Sequence, residues 1–214
     1  LGASGGIGSA LAALFEAQGD RVVGLSRSGD GFDITDPRSV AHHLAGLGPF
    51  DRVIVATGAL EIAEAAPEKS IKAITAQAMA DQFALNAIGP ALVLAHAHQL
   101  LPRDRDSVFA VLSARVGSIG DNKIGGWISY RAAKAAVNQV VHTAAIELAR
   151  THRQARVVAL HPGTVQTAFT EKYLGRFPSV PAAQAAQNLA DVMDGLSLAQ
   201  SGGFYDYSGA EVDW

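Results

Sequence analysis

The segment Gly2-Ala3-Ser4-Gly5-Gly6-Ile7-Gly8 restricts the fold more tightly than any other part of the chain. Glycine permits a sharp turn and a close backbone approach, and Ala10, Leu11, Leu14 and Phe15 follow at helical spacing. A glycine-rich turn that opens an apolar helix directs unpaired N–H groups and the positive end of the helix dipole at one point, which suits a phosphate or pyrophosphate. Gly2, Ser4, Gly5, Gly6, Ile7 and Gly8 are therefore the first candidate binding residues. An ordinary strand-to-helix connection can carry the same glycines, so the reading depends on what the rest of the chain supplies.

Downstream, apolar runs bounded by Gly, Pro and Asp alternate with helical patterns. Strands are predicted near 21–26, 51–56, 107–113, 155–161 and 203–207, with helices between them, the longest at about 81–101 and 127–150. Such alternation predicts an α/β fold, a three-layer, Rossmann-type doubly wound parallel sheet. With 214 residues, 49% of them apolar, and no charge-rich or low-complexity tract to mark a linker, one domain is expected over 1–214. Only Leu1 precedes Gly2, whereas a turn of this kind follows a buried strand, so a first strand is expected upstream and any targeting segment is hidden with it. The net charge of −3 offers no electrostatic footprint for nucleic acid, and no apolar run reaches bilayer length. The chain has no cysteine, and its seven histidines lack zinc-hydrolase spacing; no metal site is expected.

In Ile128-Ser129-Tyr130-Arg131-Ala132-Ala133-Lys134 a phenol and an ammonium stand four residues apart in a helical stretch, on one face. A phenol near its ordinary pKa of about 10 is a weak acid–base catalyst at neutral pH, and a fixed ammonium favours its phenolate and should lower that pKa. Proton transfer is the chemistry this pair suits.

The glycine turn, Tyr130-x-x-x-Lys134 and Pro162-Gly163, in this order and spacing, resemble the short-chain dehydrogenase/reductase family over nearly the whole chain. Ala114-Arg115-Val116-Gly117-Ser118-Ile119, followed by Asp121-Asn122 and Gly125-Gly126, is similar to the branch of C-factor-like and sniffer-like carbonyl reductases. The resemblance implies hydride transfer between a nicotinamide and a carbonyl or secondary alcohol. Tyr130 would be the proton donor, Lys134 would tune it and contact the nicotinamide ribose, and the backbone carbonyl of Asn86 would hold a water that completes a relay to solvent. Cofactor contacts are implied at Asp33, Ala56, Gly58, Tyr130, Lys134, Pro162, Gly163, Val165 and Thr167, with Asp33 at the adenine. Ser26-Arg27-Ser28 has no acid to accept from the adenosine ribose, while Arg27 offers charge-assisted donors to a 2′-phosphate, so NADP(H) is favoured over NAD(H). Asp36, before Pro37, reads as a helix cap. In the family the two long helices often form a dimer interface, which implies a cytoplasmic homodimer or homotetramer acting on a small-molecule carbonyl or alcohol.

Two departures from the family pattern qualify this reading. Val55-Ala56-Thr57-Gly58 has Ala56 where the family usually places Asn, which limits Ala56 to backbone contacts. More seriously, Ala114 occupies the position of the serine that normally donates to the substrate carbonyl, and losing one such donor typically costs about a hundredfold in rate. Ser113, Ser118 and Asn122 are the substitutes at hand; Ser113 would need a register shift that turns its side chain to the other sheet face. Residues 163–182, with Tyr173, Phe177 and two prolines, read as a mobile lid over an apolar-bodied substrate. The alternatives are a dinucleotide-binding regulatory or scaffold protein that has lost turnover, or an epimerase or dehydratase using the same Tyr and Lys.

Overall fold

A computed structural model describes every residue except Glu64, Leu174, Arg176 and Phe177. Four strands, β1 (Arg52–Val55), β2 (Ser107–Leu112), β3 (Ala155–His161) and β6 (Phe204–Asp206), form one parallel sheet in the order β1-β2-β3-β6. Two short strands, β4 (Thr164–Gln166) and β5 (Ser179–Pro181), pair in parallel beside it. The helices are α1 (Gly6–Ala17), α2 (Arg27–Asp30), α3 (Pro37–Leu44), α4 (Ala76–Phe83), α5 (Gly89–Leu94), α6 (Ala97–Leu100), α7 (Ile128–Leu148) and α8 (Ala182–Gly195). Among the described residues no helix is long and apolar enough to cross a membrane.

Side-chain alternation on β2 and β3 divides the interior into two layers. Phe109, Val111, Val157 and Ala159 face a cluster with Val137 and Val141 of α7, Val93 of α5 and Val40 of α3. Their neighbours Val108, Ala110, Val158 and Leu160 face Leu11 and Phe15 of α1 and Leu189 and Met193 of α8. Both faces of the central strands are thus covered by helices, as a parallel sheet requires, and every residue of β2 is buried. The architecture is the Rossmann-type α/β fold, with four of the five predicted strands in place.

The fifth differs. Residues 21–26 join no strand ladder among the described residues; the Leu25 carbonyl takes the N–H groups of Gly2 (2.7 Å) and Ala3 (3.1 Å), and that of Ser26 takes those of Asp30 (3.0 Å) and Phe32 (3.1 Å) in the turn that follows. Leu1 meanwhile accepts from the Ala56 N–H at 2.9 Å, so Leu1–Gly2 lies between segment 21–26 and β1.

The helix expected over 81–101 is also interrupted. It starts at α4 with Thr75 as N-cap, widens to a π-turn over Ala84–Ile88, resumes as α5 and ends in the short α6. The other long helix forms as α7, and Asp36 caps α3 by accepting from the Arg38 N–H at 2.9 Å.

Gly2 and Gly8 fix the entry turn. Gly2 has φ +84°, and a Cβ on it would lie 3.0 Å from the Ala56 carbonyl carbon; a Cβ on Gly8 would overlap the Gly2 carbonyl oxygen. That oxygen is backbone and cannot rotate away. A Gly8→Ala variant is expected to lose about 2 kcal/mol or more of stability, read as a lower urea midpoint at unchanged m-value, from overpacking alone.

Candidate active site

The turn that the glycines build ends in an open helix terminus. Gly5 is the N-cap of α1 and supplies no side-chain acceptor, so the first N–H groups of the helix, at Gly6, Ile7 and Gly8, have no partner within it. Ser4, Gly5 and Gly6 are exposed. Thr167 packs on this terminus: a Cβ on Gly6 would overlap the Thr167 methyl group. Converging N–H groups, a 12-residue helix behind them and a cradle with no room for side chains fit a dinucleotide's pyrophosphate.

From the cradle, three residues lead to the Tyr–Lys pair. Gly2 abuts Ala56 and Thr57, and a Cβ on the next residue, Gly58, would lie 2.9 Å from Asn86 Oδ1 and 3.5 Å from Lys134 Nζ. Lys134 is 3% exposed and donates to the carbonyl of Leu112, the last residue of β2, at 2.9 Å. Tyr130, one turn earlier on α7, is 6% exposed, and Nζ lies 5.7 Å from its ring centroid. Burial governs both. It pushes the lysine down to about 8 and the phenol above its ordinary value. This corrects the expectation that the ammonium lowers the phenol: the lysine's resolved bond goes to a strand carbonyl, and desolvation outweighs its attraction for a phenolate.

Asn86 sits in the π-turn with no exposed surface. Its amide donates to Gln82 Oε1 (2.7 Å) and Ala59 O (3.0 Å), while its own Oδ1 is buried without a partner. The Thr57 hydroxyl is likewise buried and unpaired. Sequence reading passed over Thr57 and Gln82, because their positions matter only once the π-turn and the end of β1 are brought together.

The serine substitutes are engaged elsewhere. Ser113 donates to Asn138 Oδ1 at 2.6 Å, so its hydroxyl is committed to a residue two helical turns beyond Tyr130. The expectation that Ser113 could serve the site is corrected accordingly: it lies on the face of the strand that meets the middle of α7. Ser118 accepts from the Asp121 N–H and Asn122 from the Gly125 N–H, each closing a local turn.

At the adenosine end, Ser26 caps α2, and its N–H and hydroxyl donate to Asp30. The Arg27 side chain is exposed and makes no hydrogen bond or ion pair to the described residues, while its main-chain carbonyl accepts from the Gly31 N–H at 3.2 Å. Asp33 Oδ1 accepts from the Thr35 N–H (2.9 Å) and hydroxyl (2.7 Å), which hold its carboxyl below the usual range. At the other end Pro162 and Gly163, the latter at φ +77°, turn the chain into β4, where the Val165 carbonyl accepts from the Thr170 hydroxyl. The segment beyond is tied down by Glu61, which accepts from Lys172 Nζ (2.6 Å) and the Tyr173 hydroxyl (2.8 Å). Trp127 and Phe169 each place a ring 6.5 Å from Tyr130, and Trp127 meets Tyr173 at 5.4 Å. Phe177, expected in this lid, lies outside the described residues. Among the described residues no group of three or more His, Cys, Asp or Glu is placed to hold a metal.

A parallel α/β sheet with an anion cradle beside a buried Tyr–Lys pair defines a class of dinucleotide-binding oxidoreductases, and comparison with known proteins narrows it. The family model described as enoyl-(acyl carrier protein) reductase matches residues 30–194. C-signal of Myxococcus xanthus is 36% identical over 139 residues, 64% of this chain and 78% of that protein. A short-chain dehydrogenase/reductase of Burkholderia multivorans with bound NADP has a TM-score of 0.81 at 28% identity, covering 100% of this chain and 96% of that one. The carbonyl reductase Sniffer of D. melanogaster shares the fold, with a TM-score of 0.81 at 19% identity over 100% of this chain and 97% of its own. The chain belongs to the short-chain dehydrogenase/reductase family of oxidoreductases. C-signal among its relatives agrees with the C-factor-like side of the branch to which the 114–126 loop points.

Burial of Lys134 has a measurable consequence. Its folded value of about 8 lies below the ordinary 10.5, so the unfolded chain binds more protons between those limits, and this group's contribution to stability rises with pH there. Below pH 8 the full desolvation cost remains. Lys134→Met should therefore be more stable than wild type at pH 7, on the order of 2 kcal/mol after allowing for the orphaned Leu112 carbonyl, with the difference shrinking toward pH 10. Urea melts of both proteins at pH 7 and pH 9.5 test this.

Proposed function

We propose that this protein is an NADP(H)-dependent oxidoreductase that interconverts a carbonyl compound and its secondary alcohol. One observation carries the reading: the anion cradle at Gly2 and the buried Lys134 stand at opposite ends of the three-residue run 56–58, so one bound dinucleotide can reach both. Gly2, Ser4, Gly5, Gly6, Ile7 and Gly8 would hold its pyrophosphate, with Thr167 alongside. Ala56, Gly58, Pro162, Gly163 and Val165 would line the path to the nicotinamide, and Asp33 would meet the adenine. Bound there, the nicotinamide supplies or accepts the hydride at the substrate carbon.

This chain's own residues manage the proton. Tyr130, held neutral by burial, carries the proton that the substrate oxygen takes up during reduction. Lys134 stabilises the phenolate left behind, and Asn86, with Gln82 behind it, orders the polar floor through which the proton is restored. A phenol that is neutral at physiological pH is in the state an acid needs for the reductive step, and alcohol oxidation runs through its phenolate. The rings of Trp127, Phe169 and Tyr173 fit an apolar-bodied substrate. Arg27 is exposed where a 2′-phosphate would lie, and the Burkholderia multivorans relative carries NADP, which together support the phosphorylated cofactor. A homodimer or homotetramer accords with the exposed Ile88 and Ile146 on the π-turn and α7.

Ala114 and the commitment of the Ser113 hydroxyl to Asn138 favour a second reading, dinucleotide binding without turnover. A panel of aldehydes, ketones and quinones with NADPH separates the two: tight NADPH binding with no oxidation across the panel would reject the enzymatic reading. Where turnover is found, Tyr130→Phe should lower kcat by roughly 10²- to 10⁴-fold with little change in NADPH affinity. Arg27→Ala should weaken NADPH binding by ~10- to 100-fold and leave NADH within a factor of two, measured by nucleotide fluorescence titration; equal losses would reject the clamp.

A further inference from the structure

Glu68 is a buried acid that the mechanism above does not use. It is 6% exposed and lies 61 residues from its partner in sequence, on the segment between β1 and α4. Its carboxylate accepts from the Ser129 hydroxyl through one oxygen and from the Ser129 N–H through the other, at 3.3 Å. Its main-chain carbonyl accepts from the Trp127 N–H at 2.6 Å. One residue thus takes three donors from the start of α7.

That start needs an outside partner. Trp127 is the N-cap of α7, has φ +52°, and makes no side-chain cap bond, so the helix provides nothing for its own first N–H groups. A left-handed backbone is unfavourable for a bulky residue and persists only where its surroundings hold it. Here the carbonyl of Glu68 holds the Trp127 amide while its carboxylate, at the positive end of a 21-residue helix, holds the next-but-one residue. Tyr130 follows Ser129 directly. The same wall continues into Gln82, which donates to the Leu60 carbonyl and accepts from Asn86, and Glu68, Gln82 and Tyr130 together enclose a cavity of about 10 Å³, room for roughly one water.

We propose that Glu68 is a positioning residue for Tyr130: by clamping Trp127 and Ser129 it fixes the phenol and the neighbouring indole relative to the substrate. The role rests on the assignment of Tyr130 as the acid. It explains a buried carboxylate with no cationic partner among the described residues, since both of its oxygens are used on the helix terminus. It also makes the segment between β1 and α4 part of the machinery, joined to the lid side through Trp127 and Tyr173.

Two measurements on the full chain test it. In hydrogen exchange, Glu68→Ala should raise exchange at the 127–131 amides by ~10-fold or more, while the second half of α7 stays as in wild type. In kinetics with NADPH and the best substrate of the panel, Glu68→Ala should lower kcat by ~10- to 100-fold with the NADPH Kd unchanged, since small misplacement of a reacting group has effects of that size. Glu68→Gln keeps an oxygen that accepts from Ser129 and should restore most of both. Ser129→Ala, which loosens the clamp from the helix side, should show the same pattern more weakly and serves if Glu68→Ala does not fold. Unchanged exchange at 127–131 in Glu68→Ala, or Glu68→Gln as impaired as Glu68→Ala, would overturn the proposal. Absence of turnover in wild type would instead reject the redox reading and leave the exchange result to decide the clamp.

Discussion

The hydrogen bond from Lys134 to the Leu112 carbonyl ties the longest helix to the end of the central strand, and the positions around it follow from that tie. The helix approaches closely because Gly117, at the end of the short turn after β2, has no side chain: a Cβ there would lie 2.8 Å from Lys134 Cβ and 2.9 Å from its carbonyl carbon. With Lys134 fixed against β2, Tyr130 stands one turn nearer the helix start and Asn138 one turn further, under Ser113. The anchor is unfavourable for stability, because an ammonium removed from water loses more than one carbonyl returns. An apolar residue would pack the same helix on the same strand at lower cost. A lysine in this place makes sense only if its charge is needed there, which makes it an argument for function.

Parallel strands bring every functional element to one edge. The end of β1 leads into Ala56, Thr57 and Gly58; the end of β2 gives the Leu112 carbonyl; the end of β3 gives Pro162 and Gly163; and the turn before α1 meets Ala56 from beside the sheet. This is the crevice at the carboxyl ends of the strands where α/β sheets bind their ligands. Residues far apart in sequence become neighbours there, and among the described residues left-handed backbone outside glycine is confined to Ala63 and Trp127.

Much of this arrangement was legible in the sequence because it depends on local signals. Glycine spacing located the α1 terminus, apolar runs bounded by Gly, Pro and Asp located β1, β2, β3 and β6, and Asp36-Pro37 marked the start of α3. What was not legible depends on partners. Residues 21–26 have strand composition, yet among the described residues their only bonds to the neighbouring backbone are those that Leu25 takes from Gly2 and Ala3. The 81–101 segment has unbroken helical periodicity, yet it widens at Asn86, whose amide is drawn to Gln82 and Ala59 rather than to the helix surface. The acidity of Tyr130 was misread because i, i+4 spacing fixes which residues share a face but not where a flexible lysine aims its nitrogen, nor how dry the face is. Glu68 gave no signal at all: a lone acid in a Pro-Glu-Lys run looks like solvated surface until Ser129 is placed against it.

The missing serine can now be weighed against the rest of the site. A serine at position 114 would add a second donor beside the phenol; without it, and with the Ser113 hydroxyl given to Asn138, the neutral Tyr130 hydroxyl is the donor that the proposed chemistry calls on. A substrate held by a single hydrogen bond is poorly oriented, so orientation must come from contact with the walls. Those walls are aromatic: Trp127, Phe169 and Tyr173 present ring edges and faces around the phenol. Loss of a directional polar contact and gain of shape selection belong together, because ring contacts act on the body of a substrate and leave its carbonyl free to meet the acid. The same reasoning explains why Trp127 would be held in an unfavourable backbone conformation: its indole can serve as a wall only while the first turn of α7 is held in place, and that depends on Glu68.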